Sequence, residues 1–160
     1  MYGMLQRLGI QHHQACLELD RRSLGGLWTS TQWSRELEDP QRPGLGIWRG
    51  EHLLAMACGW VILDELHITL IAVDPEQRRR GLGRQILQGL LKQSRGMGAA
   101  QATLEVSAAN SAALGLYQSM GFETVGIRRG YYCNGEDGLI KWLMIYGSDH
   151  FNSCCPEEFG

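Results

Sequence analysis

No apolar run in these 160 residues approaches the ~20 needed to cross a bilayer, and the first residues show no charged-then-apolar stretch of the kind that directs export. Charge is scarce and nearly balanced, 15 basic against 17 acidic residues, for a net of −2. That balance argues against direct nucleic-acid binding and against attraction to an anionic membrane. The basic charge is local, at 78–80, 84 and 128–129. Five cysteines, Cys16, Cys58, Cys133, Cys154 and Cys155, are odd in number and contain no C-x-x-C pair, so neither a zinc site nor a disulfide framework is supported and no metal is expected. A reducing cytoplasm is the expected compartment. Nothing repeats. With 44% apolar and 20% charged residues the composition is globular. The length suits one domain around one core, expected over 1–147. Residues 148–160 are rich in Ser, Asn, Glu and Pro, lack periodicity, and are expected to form a loose tail.

What is present is an ordered series of periodic segments. Residues 2–10 are expected to form a first strand. Residues 12–24 follow a helical pattern with Ala15, Cys16, Leu19 and Leu24 inward, and Gly25-Gly26 ends it. His12 and His13 are adjacent and do not face each other on a helix, so a solvated helix start explains them better than a metal pair. Thr29 or Ser30 can cap a second short helix to about Glu38, closed by Pro40 and Pro43. Two strands, 45–48 and 53–63, are joined by a tight turn at Arg49-Gly50-Glu51. Asp64-Glu65 turns into the next strand, on which His67 is expected to be a hydrogen-bonded strand residue and not a ligand. Gly96 and Gly98 break the helix that follows. Residues 101–107 then return as a strand, 110–120 as a helix stopped by Gly121, and 122–132 with 139–146 as a closing antiparallel pair. Strands that first pair antiparallel and then alternate with helices predict an α/β fold, a mixed sheet covered on both faces.

The stretch 66–91, LHITLIAVDPEQRRRGLGRQILQGLL, organises the rest. A β-branched run ends at Val73, where Asp74-Pro75 stops it because proline cannot continue a ladder. Gln77, Arg78, Arg79, Arg80 and Gly81-Leu82-Gly83 follow, and then Leu82, Ile86, Leu87, Leu90 and Leu91 fall on one helical face. A strand, a basic glycine turn and a helix start place free N–H groups and a positive dipole end where an anion can sit. Two glycines let backbone approach that anion without an intervening Cβ. A pyrophosphate is the expected ligand. A Walker loop needs Lys-Ser/Thr after the second glycine, and Arg84-Gln85 stand there; a dinucleotide fingerprint needs a small residue where Ile86 stands. The plainer account is a solvated basic turn before an ordinary helix.

Downstream, the strand TLEVS alternates, so Leu104 and Val106 face one way and Thr103, Glu105 and Ser107 the other. A sheet covered on both faces seldom buries a carboxylate without a task or a partner, which singles out Glu105; its structural alternative is a strand-edge salt bridge. Asn110 can cap the next helix. Tyr117 lies seven residues on, and seven steps of about 100° return to within roughly 20° of the start, so the two share a face. Tyr117 alone would be a core aromatic whose hydroxyl reaches water. Together the segments supply a phosphate binder, a base and an acid in succession.

The pattern Gln/Arg-x-x-Gly-x-Gly/Ala after a Val-Asp-Pro strand end resembles the acetyl-coenzyme A loop of the GNAT acetyltransferase superfamily. The segment LEVSAANSAALGLYQSMGFETVGIRRGYY resembles its N-terminal acetyltransferase branch, closest to the bacterial enzymes that acetylate ribosomal-protein alanine. The likeness extends through IAVDPEQRRRGLGRQIL and GEDGLIKWLMI and, more loosely, back to LWTSTQWSREL. Tyr131-Tyr132 followed by Gly135-Glu136-Asp137 resembles a signature of enzymes acting on protein α-amino groups. Ser107 is a departure, since that bacterial family usually carries Arg there, and this bears on acceptor selectivity. The cysteine-bearing tail is another.

The resemblance implies a GNAT-like, mostly antiparallel mixed sheet with helices on both faces. It also implies acetyl-coenzyme A as co-substrate and a protein N-terminus, a ribosomal protein among the candidates, as partner. By the same resemblance Glu105 would be the base, directly or through water, and Tyr117 the acid that protonates the departing thiolate. The backbone at Ile71, Ala72 and Val73 would bind the acetyl and pantetheine part. Arg79, Arg80, Gly81, Leu82, Gly83 and Arg84 would hold the pyrophosphate and Asn110 the pantetheine arm. Tyr131, Tyr132 and Trp28 would wall the acceptor groove. An α-amine titrates near about 7.7–8.0 and a lysine near about 10.4, so neutralising the lysine costs roughly 3 kcal/mol more and the α-amine is the easier acceptor. Two other functions compete: a GNAT enzyme acting on a small amine or lysine, and a coenzyme A-binding module without turnover.

Overall fold

The structure, a computed structural model, describes residues 3–145; the expected tail at 148–160, with Cys154 and Cys155, lies outside the described residues. Seven strands form one sheet: β1 (Met4–Arg7), β2 (Gly44–Arg49), β3 (His52–Ile62), β4 (Glu65–Val73), β5 (Gln101–Ser107), β6 (Glu123–Arg128) and β7 (Gly138–Met144). Their order is β1-β2-β3-β4-β5-β7-β6, and every neighbouring pair is antiparallel except β4 and β5. Among the described residues four α-helices accompany them: α1 (His13–Leu24), α2 (Ser30–Glu38), α3 (Leu82–Gly96) and α4 (Ser111–Ser119). The mixed α/β architecture expected from the segment order is therefore present.

Two cores lie on opposite sides of the sheet. On one, Leu82, Ile86, Leu87, Leu90 and Leu91 of α3 and Tyr117 of α4 pack on Leu45, Ile47, Ala55, Leu104 and Val106. The apolar stripe of α3 is the one its sequence spacing predicts. On the other, Cys16, Leu17 and Leu19 of α1 and Trp33 of α2 pack on Trp48, Met56, Cys58, Leu70 and Ala72, which belong to β2, β3 and β4. Coverage of that second face stops at β4. Thr103, Glu105 and Ser107 of β5 and Ile140 and Trp142 of β7 are half-buried or exposed there. Helices occupy both faces, as expected, but the second face remains open over β5–β7.

Other boundaries move for local reasons. The first strand is short, and a three-ten turn (Ile10–His12) precedes α1. His12 lies against Trp48 and His13 bonds the Ser30 carbonyl, so each histidine has a separate local partner. Thr29 caps α2 in a reciprocal box with Gln32. Leu24 was expected inward but is 40% exposed; Leu17 and Asp20 are buried instead. The closing strand ends at Arg128, so Tyr131 and Tyr132 stand in the connection to β7 and not on a strand.

Asp20 fixes the chain between the first two helices. It is fully buried, one turn beyond Cys16 on the inner face of α1. Its Oδ1 accepts from the Leu27 N–H at 2.7 Å, and its Oδ2 from the Trp28 N–H at 3.0 Å and from Trp33 Nε1 at 2.9 Å. Three donors on one carboxylate close the loop over the core without leaving a polar group unpaired. An amide at this position must present N–H groups to a donor. Asp20→Asn is therefore expected to destabilise the fold by about 2–4 kcal/mol, the range for orphaning one or two buried donors. The urea midpoint should fall at constant slope, and an unchanged midpoint would remove this carboxylate from the account of the fold.

Candidate active site

β4 and β5 are bonded only over Glu65–His67 against Gln101–Thr103. Beyond that they part. The cause is local: on β4, Leu70 pairs with Cys58 and Ile68 with Gly59, which leaves Thr69 as an extra residue in a bulge that bends the strand. From Ile68 onward β4 is paired on its β3 side alone. The bond from the Asp74 N–H to the Leu54 carbonyl sets the phase of that ladder, so Ala72 turns its polar groups to β3 while Ile71 and Val73 turn theirs into the gap. Of the three backbone positions expected to bind a ligand, two face the opening and Ala72 does not.

The basic turn lies at the end of this gap. Arg79 and Gly81 both adopt left-handed backbone, φ 68° and 80°. Gly81 is the residue before α3, and Gln85 N–H to the Gly81 carbonyl is the first bond of that helix, so the N–H groups of Leu82, Gly83 and Arg84 have no intrahelical acceptor. The side chain of Leu82 is buried in the core, so its backbone alone is available. A Cβ on Gly83 would come 3.4 Å from Leu116 of α4 and 4.0 Å from Val73, which places this position between the strand end and α4. Arg79 and Arg80 are exposed. Arg84 turns toward α4 and donates to Ser119 Oγ. Asn110 caps α4, its Oδ1 accepting from the Ala113 N–H at 3.2 Å, which leaves its amide N–H groups uncommitted by the cap.

Glu105 stands on the open face. It is not a buried carboxylate, as the sequence reading expected; β5 is bonded to β7 alone at this position, and the salt bridge named as the structural alternative is present. Glu105 Oε2 lies 2.8 Å from Nε of Arg128, at the end of β6. The connection from β6 to β7 folds back over this place. Ser107 Oγ donates to Glu136 at 2.7 Å, the Gly130 N–H to Asp137 at 2.9 Å, and the Tyr132 N–H to the Glu136 carbonyl at 3.1 Å. Tyr131 and Tyr132 meet edge to face at 5.0 Å, both rings lying over Gly138, where a Cβ would come within 3.2 Å of Tyr131. Burial raises the Tyr132 hydroxyl, helped by the negative charge of Glu105, then by Tyr131 and Glu136.

Tyr117 belongs to the opposite side. It is buried in the α3–α4 core, 5.6 Å from the ring of Phe122. Burial, with a smaller contribution from Tyr132, pushes its hydroxyl up to about 12. Such a phenol keeps its proton at neutral pH. Glu105 and Tyr117 therefore sit on opposite faces of the sheet, and the gap between β4 and β5 joins the two.

Trp28 is held elsewhere. Its N–H is fixed by Asp20, its ring meets Trp33 at 4.7 Å, and it lines an open hollow of about 600 Å³ with Arg35, Glu36, Arg42 and Thr69. No residue of the 129–137 connection lines that hollow. Sequence inspection missed three features: Asp20, the Thr69 bulge and the Arg128 contact. The first had a signal, since 20 is four residues beyond the inward Cys16. The others depend on pairing between distant strands.

Comparison with known proteins follows this geometry. The crystal structure of the ribosomal-protein-S18-alanine N-acetyltransferase from Escherichia coli superposes with a TM-score of 0.83 at 30% identity, covering 99% of both chains. In sequence, the ribosomal protein bS18-alanine N-acetyltransferase of Escherichia coli K12 is 46% identical over 96 residues, 58% of this chain and 65% of that protein. N-alpha-acetyltransferase RimI of Mycobacterium tuberculosis is 38% identical over 125 residues, 74% of this chain and 77% of that protein. Residues 12–122 match the acetyltransferase (GNAT) family, and the chain belongs to that family.

Proposed function

We propose that this enzyme transfers the acetyl group of acetyl-coenzyme A to the α-amino group of a protein N-terminus. A ribosomal protein is the acceptor favoured by the relatives, which are named for acting on bS18, and the cytoplasm is then its place of action. The observation that carries this is the gap: it opens between a carboxylate on one face and a buried, protonated phenol on the other. The residues suit the coenzyme. Ile71 and Val73 offer strand-like backbone partners to the amides of its arm, and Asn110 offers a side-chain amide. The unbonded N–H groups at the start of α3, with Arg79, Arg80 and Arg84 near them, suit its pyrophosphate.

Chemistry follows from the two-sided arrangement. An acceptor approaching over the open face meets Glu105, which takes a proton from the ammonium, directly or through one water, to give the neutral amine. Nitrogen attacks the thioester carbonyl carbon, whose oxygen can be polarised by an N–H of the β4 edge. The C–S bond breaks as the amide forms; Tyr117 gives its proton to the departing sulfur on the other face, and the second proton lost by the nitrogen returns that phenol to its acid form through solvent. The sum is ammonium plus thioester giving amide, thiol and one released proton. Tyr131, Tyr132 and Trp28 flank the open face, where aromatic side chains can pack a first residue and bond peptide backbone. The assignment is tested by assaying free coenzyme A release with a panel of N-terminal peptides against lysine peptides and small amines. Preference for a lysine or a small amine would sink it.

Glu105→Gln keeps the side chain's shape but cannot accept the proton. Turnover should fall by on the order of 10²–10⁴-fold with acetyl-coenzyme A affinity, measured by calorimetry, nearly intact. Wild-type turnover would return Glu105 to a structural ion pair.

Tyr117 sets the alkaline side of the rate profile. Its acid form is the active one, and with the hydroxyl pushed up to about 12 that form is retained far above neutrality. kcat/KM should rise through the acceptor's amine, near about 8, and then hold level to about pH 10. Tyr117→Phe should lower kcat across that whole range. A wild-type profile falling with a midpoint below about pH 10, or a fully active Phe variant, would rule out this acid.

A further inference from the structure

The carboxylate that receives the proton is already engaged when no acceptor is present. Arg128 Nε lies 2.8 Å from Glu105 Oε2, the two side chains being 55% and 29% exposed. The contact is one of charge on charge, open to water, and pairs of this kind hold only weakly. The guanidinium has a second resting place beside it: its carbon is 5.3 Å from the centre of the Tyr131 ring, within the range of a cation–π contact. The connection that carries Tyr131 does not depend on this pair. It is tied down by Ser107 to Glu136, by the Gly130 N–H to Asp137, and by the Tyr132 N–H to the Glu136 carbonyl. Arg128 can therefore leave Glu105 without unwinding the segment around it.

An α-amine near neutral pH arrives mostly as its ammonium. That cation needs the same carboxylate. We infer that Arg128 is an exchangeable cover on Glu105, displaced onto Tyr131 by the α-ammonium of the acceptor. One cation leaves as another arrives, so Glu105 keeps a counter-charge throughout. A peptide whose α-amine is already acylated carries no cation to exchange and leaves Arg128 in place. No bond is made or broken in this step, and it rests on Glu105 being the proton acceptor proposed above.

Two measurements test it. In protein labelled at arginine with ¹⁵N, the Arg128 Nε–H resonance is assigned by its disappearance in Arg128→Lys. With coenzyme A present, so that no transfer occurs, a peptide with a free N-terminus should move that resonance, and the same peptide N-acetylated should not. In steady state, Arg128→Ala removes the competitor. The KM for peptide should fall about 2- to 5-fold, the range expected for a weak exposed pair, with the KM for acetyl-coenzyme A unchanged. Arg128→Lys keeps a cation and should restore the wild-type value. A peptide KM that rises in Arg128→Ala, or a resonance unmoved in the peptide-saturated complex, overturns the exchange. Full turnover by Glu105→Gln would instead overturn the base assignment, whichever way the arginine resonance behaves, so the two failures are distinguishable.

Discussion

The proposed chemistry depends on two strands that stop pairing. β4 and β5 share three residue pairs and then part at the Thr69 bulge. Had the ladder continued, the polar groups of Ile71 and Val73 would be spent on β5, and no passage would connect the two faces. The separation is held from both sides. β4 is paired with β3 on either side of the bulge, the Asp74 N–H bonds the Leu54 carbonyl at its end, and β5 is held along its whole length by β7. Rigid flanks are what allow an opening inside a sheet to keep its shape without a ligand.

The two faces differ in the way the proposed chemistry requires. One is a dry core that pushes a phenol up to about 12, and the other is an open surface on which a carboxylate meets solvent and an arginine. Neither environment is produced by the residue that sits in it. The phenol is enclosed by α3, α4 and Phe122, and the carboxylate is left open because α1 and α2 reach only to β4. On the open side, Asp20 and the Glu136-Asp137 pair do equivalent work at either margin. Each uses side-chain oxygens to fix a loop that carries aromatic residues, Trp28 in one case and Tyr131 with Tyr132 in the other.

Much of this was readable because periodicity and turn chemistry agree. The stripe on α3, the Thr29 cap, the Gly81 helix start and the Glu105 side of β5 all follow from short-range spacing. What spacing cannot show is how far one layer extends over another. The supposed burial of Glu105 failed on that point, since α2 ends before reaching β5. The strand expected through Tyr132 failed on another: Gly130 and Gly135 both take positive φ, and Asp137 folds back to bond Gly130, so a compact turn outcompetes the extended run that the aromatic pair suggested. The bulge at Thr69 left no local trace, because it is a matter of register between β3 and β4.

The position of β7 carries a consequence for biosynthesis. It is the last of the described strands, yet it lies between β5 and β6. While the polypeptide is emerging from the ribosome, β5 therefore has an unpaired outer edge and β6 has no neighbour at all, until residues 138–144 arrive and insert. Translation proceeds at about 5–20 residues per second, so this edge waits for the time taken to add the residues of α4, β6 and the connection. During that interval Glu105 sits on a strand without its second support and the tyrosine-bearing segment has nothing to fold against. The sheet, and with it the arrangement proposed for catalysis, is completed only when this late strand inserts between its two neighbours.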